Sequence, residues 1–145
     1  MRALVQRVSR AAVDAGGERV AEIGPGLLVL LGVTHGDTPG DADRLADKLL
    51  KLRLFADAAG RMNEPLGADR EVLCVSQFTL YGDTRKGNRP SWVAAAPPAH
   101  AEPLYERVCE RLGAQRGVFG APMQVASVND GPVTLTVEQP GARSQ

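Results

Sequence analysis

Two short segments carry polar side chains where a plain strand or turn has no need of them. In Ser76-Gln77-Phe78-Thr79, three polar residues follow directly on the apolar run Val72-Leu73-Cys74-Val75. A buried glutamine amide costs free energy unless its donors and acceptor are matched, so Gln77 must meet solvent, backbone or a ligand. A strand leaving the core with a wet face accounts for the same residues. Thr79 has the hydroxyl of a nucleophile but no base beside it in sequence. The second segment is Asn129-Asp130-Gly131-Pro132-Val133-Thr134. Gly-Pro between two apolar stretches reads as an ordinary turn, and sequence alone does not decide whether its peptide bond is cis.

Other chemistry-bearing residues are sparse. Arg85, Lys86 and Arg89 form a basic cluster that would suit phosphates; scattered surface charge explains it equally well. His35 and His100 are the only histidines, and neither sits in a recognisable nucleophile pattern, although such groups assemble in space rather than in chain order. Gly-x-Ser-x-Gly and P-loop signatures are absent. Cys74 and Cys109 lack the spacing of a metal site and read as packing residues. No metal and no cofactor is expected.

The elements that must position these residues follow from periodicity. Met1 to Val13 reads as a strand, Ala15-Gly16-Gly17-Glu18 as a turn, and Arg19 to Ile23 as a second strand. Gly24-Pro25-Gly26 breaks the chain before Leu27 to Val33, a strand buried on both faces. After the loop Asp37 to Asp41, apolar residues Ala42, Leu45, Ala46, Leu49 and Leu52 mark a helix, with Asp47 and Lys51 as a supporting pair. Residues 57–70 are a loop or short hairpin. Glu71 to Tyr81 is read as one strand and residues 82–98 as a long irregular segment containing Trp92. A second helix carries Leu104, Tyr105, Val108 and Leu112, with Pro103 in its first turn and Gly113 as its cap. Met123 to Val128 and Val133 to Glu138 are read as two last strands joined by a turn. The order βββ-α-β-α-ββ predicts a single α/β domain over residues 1–138, with a curved, barrel-like sheet and two main flanking helices. Residues 139–145 are read as a disordered tail.

Composition narrows the function classes. A chain of 145 residues suits one domain and buries enough surface to need no staples. Seventeen basic and seventeen acidic residues give a formal charge of zero, against a long nucleic-acid footprint but not against a grip on a few nucleotides at an RNA end. No apolar run is long enough to span a bilayer and no secretory signal is evident, so a reducing cytosol is the expected compartment.

Taken together, these segments resemble the D-aminoacyl-tRNA deacylase family. The likeness rests on the opening Met1-Arg2-Ala3-Leu4-Val5-Gln6-Arg7-Val8-Ser9-Arg10-Ala11, on Gly26 to Val33, on Leu52-Arg53-Leu54-Phe55, and on Asp83 to Ser91. Above all it rests on Ser76-Gln77-Phe78-Thr79-Leu80-Tyr81 and Asn129-Asp130-Gly131-Pro132-Val133-Thr134, in that order. It covers about residues 1 to 138. Cys74, where an aliphatic residue is more usual, and the weakly charged stretch Ala56 to Gly60 depart from the pattern.

The resemblance implies a cytoplasmic homodimer with shared active sites. It would take the 3′ end of an aminoacyl-tRNA and act on neither DNA nor membranes. Gly131-Pro132 would form a cis peptide reaching into the partner's pocket, its carbonyls facing the substrate's α-carbon and amino group. Ser76, Gln77, Phe78 and Thr79 would line the scissile ester, with N–H groups near Phe78 and Thr79 as an oxyanion site. Phe119 and Met123 match positions that pack against adenine, and core packing is their other reading. A steric wall rejects an L side chain better than pocket fit, which yields only about 1–3 kcal/mol per methylene. Such a wall cannot reject glycine, so glycyl-tRNA is an expected substrate. Rival readings are a non-catalytic module that binds RNA ends, a sister deacylase with relaxed chirality, and a generic Ser/His esterase needing a histidine beside Ser76.

Overall fold

In the computed structural model, which describes residues 1–140, the first strand organises the rest. β1 (Arg2–Ala15) pairs antiparallel along one edge with β3 (Gly26–Gly32), then with β2 (Glu18–Ile23). Its other edge pairs along nearly its whole length with β8 (Gln124–Glu138). β6 (Glu71–Ser76) adds parallel to β3, and the short β7 (Gln115–Arg116) parallel to β6. A two-stranded hairpin of β4 (Phe55–Ala56) and β5 (Met62–Glu64) fills the expected loop-or-hairpin stretch.

The sheet curls until its ends approach. Glu22 N–H reaches Gln115 Oε1 at 3.5 Å, and Gly24 N–H reaches Glu71 Oε1 at 3.1 Å. Gly26 permits the closest packing at this seam, since a Cβ there would lie 1.7 Å from the Glu71 carbonyl oxygen. The result is a nearly closed, barrel-like mixed sheet. Inside it lie Val8, Val13, Ile23, Leu28, Leu73 and Val75. On the outer face Val5, Leu27, Val29, Leu31, Val72 and Cys74 pack under α1 (Pro39–Lys51) and α2 (Pro98–Leu112). Alternate residues of β3 and β6 therefore enter different cores, which is why Leu27 to Val33 reads as buried on both faces. No helix among the described residues is long and apolar enough to cross a membrane.

Several expectations are corrected. The strand read as Glu71 to Tyr81 stops at Ser76, and Phe78–Tyr81 form a 3-10 turn packed on Gly32, whose missing Cβ would sit 3.1 Å from Leu80. The two last strands are one, because both halves pair with β1. α2 begins at Pro98, a turn earlier than read, so Pro103 lies inside it. Asp47 grips Arg111 at 2.8 and 3.0 Å on α2 in place of Lys51. Gln139, assigned to the tail, exchanges hydrogen bonds of 2.8 and 2.9 Å with Met1. Residues 141–145 of that expected tail lie outside the described residues.

Pro39, Gly40 and Asp41, expected in a loop, form the first turn of α1. Thr38 caps it: the Thr38 hydroxyl accepts from Asp41 N–H at 3.2 Å, while the fully buried Asp41 carboxylate accepts from Thr38 N–H at 2.8 Å. Burial alone would raise the Asp41 carboxyl, but the Thr38 donors and the Arg44 guanidinium outweigh it and hold it below the usual range. A carboxyl depressed on folding adds stability above its unfolded pKa, about 3.9, and loses it as pH falls through the folded value. Asp41→Ala is expected to cost about 1–2 kcal/mol at neutral pH. That difference should shrink as urea midpoints are followed down to about pH 2.

Candidate functional site

One cavity of about 620 Å³ opens where β6 leaves the sheet. Its walls come from four places: the end of β6 and the 3-10 turn (Ser76, Gln77, Phe78), the loop before α2 (Trp92, Ala95, Ala96), the start of α2 (Pro98, Ala101), and the segment between β7 and β8 (Phe119 to Met123). Ser76, Gln77, Phe78, Phe119 and Met123, singled out in sequence, thus meet in one place. Thr79 does not line the cavity; it is exposed on the 3-10 turn, where its hydroxyl oxygen accepts from the Gln77 amide.

The strand end fixes this corner. Ser76 pairs with Leu31, and Gln77 N–H donates to the Leu31 carbonyl at 2.7 Å. Hydrogen bonding in the turn begins with Leu80 N–H on the Gln77 carbonyl, 3.2 Å, so the Phe78 and Thr79 N–H groups stand outside its ladder. On the opposite wall Phe119 rests against Tyr105 with centroids 5.8 Å apart. Met123 Sδ accepts from Val118 N–H at 3.3 Å, and a Cβ on Gly117 would stand 2.7 Å from that sulfur. Met123 is therefore located by its surroundings instead of filling a gap.

Among the described residues no side chain on the cavity wall is titratable; its polar side-chain groups are the Ser76 hydroxyl, the Gln77 amide and the Trp92 indole N–H. His35 Nε2 is engaged with the Val93 carbonyl at 2.8 Å, and His100 is exposed on α2. Neither stands on the wall that carries Ser76, which removes the Ser/His esterase reading. Cys74 and Cys109 are buried. The hydrogen-bonded Cys109 thiol and burial push the Cys74 thiol well up, so it is inert as a nucleophile. Among the described residues no cluster of His, Cys, Asp and Glu would hold a metal ion.

Gly131 and Pro132 are exposed, and the peptide bond between them is cis. They lie on the strand β8 but outside this chain's own cavity. Gln6 pairs with Thr134 and Val8 with Asn129, so two steps along β1 match five along β8, and residues 130–133 are expelled as a bend. The bend is held from both sides. Asn129 Oδ1 accepts from Val133 N–H at 3.0 Å. Arg7, mostly buried, spans from the Leu54 carbonyl (2.7 Å) to the Asp130 carboxylate (3.2 Å). Sequence reading missed Arg7, whose role depends on a strand pairing across more than a hundred residues.

The basic cluster divides. Arg85 is bidentate on Asp83 and holds that carboxyl down at about 2. Lys86 and Arg89 are exposed and form no ion pair among the described residues. Sequence reading also missed Trp92, an aromatic in a loop of a chain with 4% aromatics, which was the available signal.

Comparison with known proteins gives the chain's family and fold relatives. Residues 4–138 match the family model described as D-Tyr-tRNA(Tyr) deacylase. A D-aminoacyl-tRNA deacylase of Myxococcus xanthus (strain DK1622) is 56% identical over 147 residues, covering 97% of this chain and 96% of the relative. A namesake from Thermus aquaticus is 52% identical over 152 residues, covering 99% and 100%. Among solved structures, one described as c-Myc DNA Unwinding Element Binding Protein superposes with a TM-score of 0.91 at 42% identity, covering 97% of this chain and 100% of the other. A probable eukaryotic D-amino acid tRNA deacylase shares the fold, with a TM-score of 0.81 at 16% identity over 94% of this chain and 97% of the other.

Gly131 has φ +122°, and an added Cβ would lie 2.9 Å from Val133 Cγ2 and 3.0 Å from Arg7 Nη2. Gly131→Ala is expected to lower the unfolding free energy by about 1–3 kcal/mol. Urea denaturation measures this, and an unchanged midpoint would show that the bend is not held as described.

Proposed function

The chain belongs to the D-Tyr-tRNA(Tyr) deacylase family, and from that premise we propose how its D-aminoacyl-tRNA deacylase activity is carried by these residues. The observation that carries the reading is a cavity of about 620 Å³ whose polar groups, among the described residues, are one hydroxyl, one amide, one indole N–H and backbone. Pockets of roughly 300–1,000 Å³ take a small-molecule-sized ligand, here the terminal adenosine with its ester. Adenine packs between Phe119 and Met123. The ester lies along Ser76, Gln77 and Phe78, with the Phe78 N–H, outside the turn's own ladder, facing the oxyanion that develops on the carbonyl oxygen.

With no titratable group on the wall, water is the nucleophile. It attacks the ester carbonyl, the bond to the ribose oxygen breaks, and that oxygen takes up a proton to leave free amino acid and tRNA. The neighbouring 2′-hydroxyl of the RNA assists proton movement. Thr79 is a positioning residue in this scheme, since its oxygen already accepts from Gln77. Lys86 and Arg89 meet phosphates of the incoming RNA end; Arg85, paired with Asp83, contributes less.

The Gly131-Pro132 bend enters the cavity of a second copy and excludes an L side chain. What supports this is a bend exposed, rigidly held and outside its own cavity, on a strand that also exposes Val125 and Val128, each 41% accessible. Exposed apolar side chains along one strand suit a covered surface between two copies. A filter that only excludes L side chains leaves glycine untouched.

Two experiments test the reading. D-tyrosyl-tRNA and glycyl-tRNA should be cleaved and L-tyrosyl-tRNA spared under matched conditions; sparing of glycyl-tRNA would refute exclusion, and binding without turnover would favour an RNA-end module. The second mixes copies: one with Gly131→Ala in the bend, the other with Ala121→Trp filling the cavity. If sites are shared, the mixed dimer contains one intact cavity served by one intact bend. Its D-over-L selectivity should rise well above that of the Gly131→Ala protein alone. Equal selectivity would place bend and cavity in a single chain.

A further inference from the structure

Trp92 is on the cavity wall, yet 42% of it is exposed. Its ring meets Phe78 edge-on, with centroids 5.5 Å apart and planes at 75°. It is also backed by Gly82, where a Cβ would stand 2.5 Å from the indole. The segment that carries it is tied down on both sides. Asp83 and Ser91 exchange backbone hydrogen bonds of 2.8 Å, and Ala96 N–H donates to the Val33 carbonyl at 3.0 Å. A half-exposed indole is thus held still at the cavity mouth at little further entropic cost on binding.

The surroundings say what it faces. The cavity accommodates one nucleoside with its ester, so the nucleotide before the terminal adenosine must lie outside it. The loop bearing Lys86 and Arg89 springs from the Asp83–Ser91 pair, and Trp92 is the next residue. The indole lines the cavity, and the loop that ends beside it carries two cations with no ion pair among the described residues. We propose that Trp92 is the stacking platform for the base that precedes the terminal adenosine, with the 84–90 loop beside its phosphate. Aromatic stacking tolerates any base, and cations track the backbone without reading sequence. This inference rests on the deacylase reading above.

Trp92 is the chain's single tryptophan, so its fluorescence reports on the platform directly. The dinucleotide cytidylyl-adenosine and uncharged tRNA should quench it, whereas adenosine monophosphate should leave it nearly unchanged. Equal quenching by the mononucleotide would overturn the proposal by putting Trp92 in the adenosine pocket. No quenching at concentrations of uncharged tRNA that inhibit turnover would overturn it too. Kinetics give a second reading. Trp92→Ala should raise KM for D-tyrosyl-tRNA about tenfold with kcat kept, and Trp92→Phe should recover most of the loss. D-tyrosyl-adenosine, which lacks the preceding nucleotide, should lose far less than the full substrate on Trp92→Ala, since only the cavity-wall contact is then removed. A matching defect on that short substrate would sink the platform. Failure of the parent chain to cleave either substrate would instead sink the deacylase reading, which the quenching experiment does not depend on.

Discussion

Everything in this molecule is registered to β1 being paired on both edges. One edge fixes β2 and β3, and through β3 the parallel strand β6 that ends at Ser76. The other edge fixes β8. These two pairings place the strand end on one side of the sheet system and the Gly131-Pro132 bend on the other. The bend exists because β8 carries more residues than β1 can match between Gln6 and Val8. A register slip that reversed this would turn every side chain of β8 over, so the bend and its strand stand or fall together.

The same constraint decides how much was legible in the sequence. Gly26 to Gly32 could be read because burial on both faces leaves a continuous apolar run. α1 could be read from its apolar stripe, though not its first turn, because Asp41 looks like a loop residue until Thr38 is seen to pair with it. The 3-10 turn Phe78–Tyr81 could not be read. Its alternation of apolar and polar residues continues the strand pattern, and only contact with Gly32 explains the change of course. Likewise Asn129 to Thr134 has turn composition, and nothing local says that the chain returns to the same partner strand. For the site, the gathering of Ser76, Gln77, Phe78, Phe119 and Met123 was legible mainly through family resemblance. Arg7 and Trp92 were not, since each acts through residues distant in sequence or across a loop.

A cavity without a titratable wall shapes the chemistry available. Charged catalytic groups would have to be desolvated or paired when the cavity fills, at a cost of several kcal/mol per ion. Backbone N–H groups carry no such cost, and their direction is set by the turn that holds them. The cysteines fit this picture: both are buried, and Cys74, beside β6's exit, is protected by its thiol neighbour and by Tyr105, whose hydroxyl donates to the Cys74 carbonyl at 2.8 Å. Neither thiol is on the cavity wall.

The exposed aromatic corner follows from the same economy. A site that gripped one nucleoside in an apolar cavity, as proposed, would gain little from net charge, in keeping with a formal charge of zero. Counterion release scales with the phosphates contacted, and Lys86 and Arg89, without an ion pair among the described residues, would suit a short footprint. Such a footprint must draw its affinity from flat apolar contacts at each base it holds. In the proposed reading Phe119 and Met123, which line the cavity, supply one there. Trp92, edge-on to Phe78 and backed by Gly82, is an exposed aromatic side chain of that wall, where the proposed second contact would fall.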